Sequence, residues 1–138
     1  KMREKLSVFI DRLKSGDYKF ESMDFRELNT DDWNEKTFVY ADPPYLITCA
    51  TYNEQDGWNE DLEKELLSYL DKLNDRKIRF ALSNVLRSKG KENTILMDWI
   101  NRNIGKYHVI YLDYDYSNSN YQTKDKNSKA EEVLIVNY

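Results

Sequence analysis

Three segments of the chain repeat hydrophobic residues with the period of an amphipathic helix, and Gly16 and Gly105 follow the first and the third. A hydrophobic residue at every third or fourth position gives a helix one apolar face, which packs against a core. Glycine is typical of the position just past a helix, so we expect these two helices to end there. The three apolar faces comprise Met2, Leu6, Phe9, Ile10 and Leu13, then Leu62, Leu66, Tyr69, Leu70 and Leu73, and finally Ile95, Leu96, Trp99 and Ile100.

Short hydrophobic runs predict five strands, most of which are separated by the predicted helices. The segment 114–130 is polar, has no helical period and is interpreted as a loop before the last strand. The five strands are expected over 18–24, 37–42, 78–84, 107–113 and 132–138.

Strands that alternate with helices are typical of a doubly wound α/β sheet, mostly parallel and with helices on both faces. Because a loop and not a helix joins the last two strands, we expect them to form an antiparallel pair at one edge of the sheet. No repeat, linker or clear boundary divides the chain. Residues 1–138 are therefore expected to belong to one domain.

Polar motifs stand at the ends of two predicted strands. The motif DPPY occupies residues 42–45, and Ser83-Asn84 ends the next strand along the chain. In open α/β sheets, ligands bind beyond the carboxyl ends of the strands. We expect both motifs to lie at the same edge of the sheet and to form a site there.

The DPPY motif combines hydrogen-bond acceptors with an aromatic ring on a stiff backbone. Proline fixes φ and lacks an N–H group, so two prolines end a strand abruptly. The Asp42 carboxylate and the Pro43 carbonyl can accept both hydrogens of an amino group, and Tyr45 can stack on a planar ring. This equipment suits the amino group of a nucleobase, whose delocalised lone pair needs orientation. The alternative is a strand terminator in which Asp42 caps a local turn.

The composition argues against several classes of protein. Forty per cent hydrophobic and 33% charged residues indicate an ordinary soluble domain, without a run long enough for a membrane span. With one cysteine, Cys49, and one histidine, His108, neither an internal disulfide nor a Cys/His metal site is expected. No signal peptide is visible, so a cytoplasmic location is expected. The net charge of −4 disfavours a nucleic-acid binder unless a local basic patch serves.

Several stretches occur in an order that resembles a known family. "YKFESMDF" precedes DPPY, "TYNEQDGWNEDLEKELLSYL" follows it, "FALSNV" ends the next strand and "EEVLIVNY" is the last stretch. In this order they resemble the carboxy-terminal portion of the Dam-type DNA adenine-N6 methyltransferases, whose sheet is Rossmann-like. The resemblance covers nearly the whole chain, and DPPY is its most specific part.

The resemblance implies methyl transfer from S-adenosylmethionine to the N6 amino group of adenine in duplex DNA. The base must be flipped out, because its amino group is inaccessible while it is paired. The amino nitrogen would attack the methyl carbon directly, and no metal is required. The residues implied to hold the base are Asp42, Pro43, Pro44 and Tyr45, with Tyr45 stacked on it.

The resemblance also implies where the cofactor binds. Asp24, followed by Phe25, matches the acidic position that contacts the adenine amino group of S-adenosylmethionine, and Glu21 and Ser22 are close alternatives. Asp42 is expected to border the cofactor as well as the base.

Further contacts with the substrate are expected around this site. Tyr52 belongs, with Trp58, to the loop after DPPY; Ser83 and Asn84 are expected to shape the base pocket, and Lys124 to meet the DNA backbone. For the remaining candidates, solvated surface or local packing is the alternative. They are Arg87, Lys89 and Lys91, which are expected in a loop after Ser83-Asn84, then Lys126 and Lys129 in the polar loop before the last strand, and near them Tyr114, Tyr116, Asn118, Asn120 and Tyr121.

One feature of the family is absent from the sequence. In these enzymes a Gly-rich loop of the F-x-G-x-G kind binds the methionine end of the cofactor, but the four glycines of this chain are far apart. We therefore expect that the amino-terminal half of the enzyme is missing from these residues. The strand over 37–42 would then be a sheet edge with Phe38 and Tyr40 poorly covered, and such edges invite association. The expected partners are the missing half or a self-association partner.

Three functions stay open on the sequence. DNA adenine-N6 methylation is favoured, with restriction-modification as one setting for it. The alternatives are amino-methylation of another target, for instance a base in structural RNA, and a non-catalytic remnant or interaction module of the same fold. The intact DPPY motif favours an enzyme, whereas the missing Gly-rich loop favours the remnant.

Overall fold

The structure, a computed structural model, describes residues 1–48, 57–112 and 130–138. They divide into two compact units, residues 1–32 and residues 33–138. The interpretation of the chain as one domain stays a prediction. Several predicted contacts lie outside the described residues, as does Cys49; these contacts are Tyr52, Lys124, Lys126, Lys129 and the tyrosines and asparagines from 114 to 121.

The first unit contains one α-helix and one short 3₁₀ helix. Helix α1 spans Met2–Ser15 and ends at Gly16, whose backbone N–H donates to the Arg12 carbonyl at 3.0 Å, as the apolar period predicted. The strand predicted over 18–24 is wrong, because no described strand pairs with that segment. A strand forms only when a neighbour accepts its backbone hydrogen bonds. A 3₁₀ helix over Phe25–Glu27 follows instead.

The second unit is a mixed α/β sheet with two helices packed on it. The described strands are ordered β1-β2-β5-β4, and β3 forms a hairpin with β2. The elements are β1 (Phe38–Ala41), α2 (Glu60–Asp75), β2 (Arg79–Ser88), β3 (Lys91–Glu92), α3 (Thr94–Arg102), β4 (His108–Leu112) and β5 (Glu131–Val136).

The strand directions confirm part of the predicted topology. Strands β1 and β2 are parallel, and β5 lies between β2 and β4, antiparallel to both. The last two strands are thus an antiparallel pair at one side of the sheet, as their loop connection predicted. Strand β1 is the opposite edge among the described strands, and Phe38 and Tyr40 on it are 53% and 58% exposed.

Helices α2 and α3 contact each other and β2, so both lie on the same face of the sheet. The prediction of helices on both faces is wrong for the described part of this unit. From β1 to β2 to β4 the chain moves across the sheet in one direction, and right-handed crossovers then place both helices on one side. The core between these layers contains Leu66, Leu70, Leu73, Leu96, Trp99, Phe80, Leu82, Val133 and Ile135.

Three aromatic rings from β2, α3 and the start of β4 meet in this core. The centroid of the Trp99 ring is 4.9 Å from that of Tyr107 and 6.4 Å from that of Phe80. The Trp99 indole N–H and the Tyr107 hydroxyl both donate to Asp71 of α2, so their polar ends are satisfied. Burial and the Asp71 carboxylate raise the pKa of Tyr107. The cluster therefore joins sheet and helices without an unpaired polar group.

In the described part of the chain, no helix is both long and apolar enough to cross a bilayer.

Strand β2 is longer than the sequence predicted. The strand expected over 78–84 continues to Ser88, so Ser83-Asn84 lies inside it and not at its end. The placement of Arg87 in a loop is also wrong, because Arg87 lies near the end of strand β2. Its guanidinium pairs with Glu92 and Glu131 at 2.9 and 3.1 Å. Strand β2 continues because its last residues pair with β3 in a hairpin. The hydrophobic pattern of the sequence does not indicate this two-residue strand.

Candidate active site

Strand β1 ends where its sequence loses backbone donors. Ala41 is its last residue, and Pro43 and Pro44 follow Asp42 without an N–H group to continue the ladder. The Asp42 side chain is exposed at this strand end. The turn after the motif is closed by the Thr48 N–H, which donates to the Tyr45 carbonyl at 2.9 Å. The backbone thus holds an acid and an aromatic residue on either side of a rigid corner.

The register of the parallel pair places Ser83 beside this corner. Ala41 is opposite Leu82, so Asp42 comes level with Ser83 of β2. The Tyr40 hydroxyl donates to the Ser83 hydroxyl oxygen at 3.1 Å. The prediction that Ser83 stands at a strand end was wrong, because β2 continues to Ser88, but the strand register brings Ser83 level with Asp42.

The two ends of the DPPY motif touch each other. The Tyr45 hydroxyl donates to the Asp42 carboxylate with 3.3 Å between the oxygens. Partial burial raises the pKa of Tyr45 above its ordinary value, and the negative charges of Asp42 and Glu132 act in the same direction, while the Ser83 hydroxyl acts against them. Tyr45 is therefore a neutral hydrogen-bond donor across the physiological range, and its hydroxyl donates to Asp42.

Tyr40 and Glu132 are neighbours of the site that sequence reasoning missed. Tyr40 bonds Ser83, and Glu132 influences Tyr45 electrostatically from β5. Alternation within β1 does put Tyr40 on the face opposite Val39, but nothing local to the EEVLIV stretch indicates that Glu132 faces the same motif. That relation depends on the β2–β5 register, in which Glu132 is opposite Val85.

Asn84 points away from this corner, into the core. Its side chain is 1% exposed and donates to the Glu63 carboxylate of α2 at 2.9 Å. Successive side chains of a strand face opposite sides, so Ser83 and Asn84 cannot both face the same ligand. Ser83 therefore lies on the side of the DPPY motif, whereas Asn84 faces α2.

The predicted cofactor residues Asp24 and Phe25 lie in the first unit. Asp24 caps the 3₁₀ helix that Phe25 begins, and its carboxylate accepts from the Arg26 backbone N–H at 2.9 Å and from the guanidinium of Arg26 at 2.8 and 2.7 Å. These bonds lower the pKa of Asp24 to about 2. The nearby alternative Glu21 pairs with Lys19 at 2.7 Å. Asp24 is thus a preformed anionic acceptor, and an incoming amino group would share it with Arg26.

Asp24 is expected to titrate about two units of pH below an ordinary aspartate. Its folded-state pKa of about 2 is below the ordinary 3.8, so the pair with Arg26 stabilises the folded unit above pH 3.8 and this contribution disappears as the pH falls toward 2. Carboxyl-carbon NMR should report this midpoint, and Arg26→Ala should return it toward 3.8. Lys19→Ala, the control, should leave it unchanged; a parental Asp24 that titrates near 3.8 would contradict the assignment.

The surroundings of three glycines indicate whether they could form the Gly-rich loop that S-adenosylmethionine requires. A Cβ atom on Gly16 would collide with the Tyr18 ring, whereas one on Gly90 or on Gly105 would meet nothing within 4 Å. Gly90 and Gly105 have φ of +77° and +82°, as turns require. These three glycines therefore serve local turns and packing. The Asp24 carboxylate is an acceptor of the kind that an adenine amino group requires, whereas the described residues provide no glycine cradle for the methionine end of the cofactor.

The basic residues of the β2–β3 hairpin have different surroundings. Arg87 is engaged by two carboxylates, whereas Lys89 and Lys91 are exposed and form no ion pair within the part of the chain that the structure describes. Lys89 and Gly90 both have positive φ and make the tight turn of the hairpin. Of the three basic residues near the turn of this hairpin, the two lysines are the ones left to meet a phosphate.

Most of the chain matches one known protein family. A family model described as "D12 class N6 adenine-specific DNA methyltransferase" matches residues 1–118. The match covers the first unit and the part of the second unit up to residue 118, including the Asp24 segment and the DPPY corner. The chain belongs to this family.

Curated relatives are similar over nearly the whole chain. It is 43% identical over 142 residues to the modification methylase StsI of Streptococcus sanguinis and 39% identical over 141 residues to the type II methyltransferase M.FokI of Planomicrobium okeanokoites, with 99% of this chain and 21% of each relative covered. It is 33% identical over 134 residues to the modification methylase LlaI of Lactococcus lactis subsp. lactis. The chain spans about a fifth of the length of these relatives.

Proposed function

We propose that this member of the D12 class family contributes the base-holding part of an enzyme that methylates the exocyclic N6 of adenine in DNA, with S-adenosylmethionine as the methyl donor. The observation that carries the proposal is the DPPY corner, where an exposed Asp42 carboxylate stands 3.3 Å from the Tyr45 hydroxyl at a stiff strand end. The relatives whose names describe modification methylases support a role in restriction-modification.

The corner acts by orienting a weak nucleophile. The Asp42 carboxylate and the Pro43 carbonyl accept the two hydrogens of the adenine amino group, so the nitrogen lone pair points away from both acceptors. Fixing this geometry before the reaction removes much of the entropic barrier, and the acceptors stabilise the positive charge that develops on nitrogen. Pro43 and Pro44 contribute stiffness, since neither can rotate about φ.

Tyr45 provides the surface on which the flipped adenine stacks. Stacking of a base on an aromatic ring contributes about 1–3 kcal/mol. In the structure the Tyr45 hydroxyl satisfies one Asp42 oxygen. In the complex with DNA the adenine amino group takes over that oxygen, and the tyrosine hydroxyl turns to Ser83 or to water. The hydroxyls of Tyr40 on β1 and Ser83 on β2, which are 3.1 Å apart, are proposed to border this pocket.

The chain's own residues would hold one end of the donor. Bound S-adenosylmethionine supplies the methyl group as an electrophile. Asp24 and Phe25 would hold the adenine end of the donor, where the Asp24 carboxylate would accept from an amino group, and Asp42 would lie beside its reacting end. A Gly-rich loop for the methionine end comes from outside these 138 residues, from the amino-terminal half of the same enzyme. The relatives are long enough to contain such a segment.

Duplex DNA, in the cytoplasm, is the proposed partner. The enzyme extrudes the target adenine, because the N6 amino group is otherwise paired inside the helix. Lys89 and Lys91 of the hairpin, together with Lys124 outside the described residues, are candidate phosphate contacts that would make binding depend on salt. Tyr52 is proposed to contact the base from the loop after the motif.

The test is to express the complete reading frame and incubate it with methyl-labelled S-adenosylmethionine and duplex DNA. After digestion to nucleosides, we expect label in N6-methyladenine and none in methylated cytosine. Label that enters structural RNA and not DNA would favour the alternative substrate. A folded protein that binds the donor but transfers no label to either nucleic acid would favour the non-catalytic interpretation.

A further inference from the structure

Glu63, at the start of α2, has a fully buried side chain. Its side chain is 0% exposed, and it forms no ion pair with a described lysine, arginine or histidine. An unpaired buried charge is costly unless several hydrogen bonds compensate it. Glu63 stands in the first turn of the helix, where the helix dipole also favours a negative charge.

Three N–H donors from different parts of the unit converge on this carboxylate. The Trp58 indole N–H donates to Oε2 at 2.6 Å, and the side-chain amides of Asn84 and Asn93 donate to Oε1, each at 2.9 Å. Trp58 precedes α2, Asn84 lies within β2 and Asn93 caps α3. One side chain therefore fastens the chain entering α2 to the strand beside the DPPY motif.

Each amide is fixed in orientation by its oxygen. Asn84 Oδ1 accepts from the Val85 backbone N–H at 2.8 Å, and Asn93 Oδ1 accepts from the Leu96 N–H at 3.0 Å. The amide nitrogens must then face Glu63, which has only acceptors when it is ionised. Val85 also borders the point where the β2–β5 register shifts, so the Asn84 bond fixes the backbone at an irregular place in the ladder.

We propose that Glu63 is a positioning residue for methyl transfer, an inference that rests on the proposed function. Its carboxylate holds Asn84, and the backbone of Asn84 carries Ser83, which bonds Tyr40 on the opposite face of the sheet and acts on Tyr45. Through Trp58 it also fixes the chain where it returns from the DPPY motif to α2. Glu63 itself touches neither base nor donor, because it lies on the helix side of the sheet.

Glutamine is an informative replacement because it has the same shape. The amide oxygen of Glu63→Gln can accept from both asparagines, but its NH₂ group then faces the Trp58 N–H, donor against donor. Trp58→Phe removes that donor and most of the conflict. The double variant is therefore expected to perform better than Glu63→Gln alone, which is a coupling that a general loss of packing does not produce.

The experiment uses the complete enzyme and measures single-turnover methylation of duplex DNA at saturating donor. Glu63→Gln is expected to lower the rate about 10- to 100-fold, as small misplacements of reacting groups do, while the affinities for DNA and donor change less than the rate. The Glu63→Gln/Trp58→Phe variant should recover a large part of the loss. Trp58→Phe alone should be folded and only a few-fold slower, since it leaves one carboxylate oxygen without its partner.

Asn137 offers a matched control at the other end of β2. Its amide accepts from the Phe80 N–H at 2.7 Å and donates to the Ile78 carbonyl at 2.9 Å and to Asn74 at 3.0 Å. Asn137→Ala should lower the unfolding midpoint as the Glu63 variant does but keep the parental rate well below that midpoint. If Glu63→Gln keeps the parental rate, or Asn137→Ala slows methylation equally, the positioning role is wrong. A parental enzyme without methyl transfer would instead refute the proposed function.

Discussion

Replacing Asp42 by alanine in the complete enzyme is expected to lower the single-turnover rate of adenine methylation about 100- to 1,000-fold, the usual effect of removing one preorganised group at a developing charge. The carboxylate is exposed at a strand end and its oxygen is held by the Tyr45 hydroxyl, so it is free to exchange that partner for an amino group. The loss should appear in turnover, because the acceptor acts on the reacting nitrogen. DNA affinity should change much less.

Glu35→Ala provides the control for this prediction. Glu35 is an exposed acid that precedes β1 at the opposite end of the strand from Asp42. Glu35→Ala changes the net charge by the same amount as Asp42→Ala does, and we expect its single-turnover rate to equal that of the parent. A single-turnover rate for Asp42→Ala within a few-fold of the parent would show that Asp42 does not hold the amino group. A rate lowered equally by Glu35→Ala would indicate an effect of charge and not of position.

Tyr45→Ala is expected to slow methylation about 5- to 150-fold, which corresponds to the loss of one base-stacking interaction. Tyr45→Phe and Tyr45→Trp should keep much of the activity, because stacking requires a ring and not a hydroxyl. The Phe variant also releases the Asp42 oxygen that the hydroxyl holds. Rates at saturating DNA, measured beside binding of a duplex with the target base unpaired, separate stacking from the catalytic step.

The hydroxyl of Tyr45 has a separate signature. If Tyr45→Phe and Tyr45→Ala lowered the methylation rate equally, the hydroxyl and its bond to Asp42 would be the important feature, and the stacking role would be wrong. The raised pKa of Tyr45 gives an independent check, since Asp42→Asn removes a neighbouring negative charge and should lower that pKa. Ultraviolet titration of the tyrosines in the parent and in Asp42→Asn measures it.

The hydrophobic period predicted all three helices, of which α2 and α3 bury their apolar faces whereas α1 has no buried residue. Helices α2 and α3 agree with the predicted faces, and Leu66, Leu70 and Trp99 are buried as expected. The strands that contain strongly apolar runs were also predicted. Their loop connection was sufficient to predict the antiparallel direction of the last pair. The DPPY motif was recognisable because two prolines after a hydrophobic run have a local meaning.

Pairing between distant segments was beyond the sequence pattern. The stretch 18–24 has the composition of a strand but no described partner, whereas β3, which has only two residues, exists because β2 pairs with it. Hydrogen bonds between strands depend on which segments meet, and composition measures only how well a residue fits a pleated surface. The same limit explains why Ser83-Asn84 was placed at a strand end.

By itself, the sequence determined the rigid corner, with Asp42 and Tyr45 at its two sides, because proline chemistry acts within a few residues. The tertiary structure decided what surrounds that corner. Parallel pairing of β1 with β2 brings Ser83 to Tyr40, and the alternation of side chains sends Asn84 to Glu63 on the other face. Register is a property of two strands together, and a shift of the pairing by one residue would exchange the faces of Ser83 and Asn84. Local chemistry is therefore readable from the chain, whereas the partners of that chemistry depend on the fold.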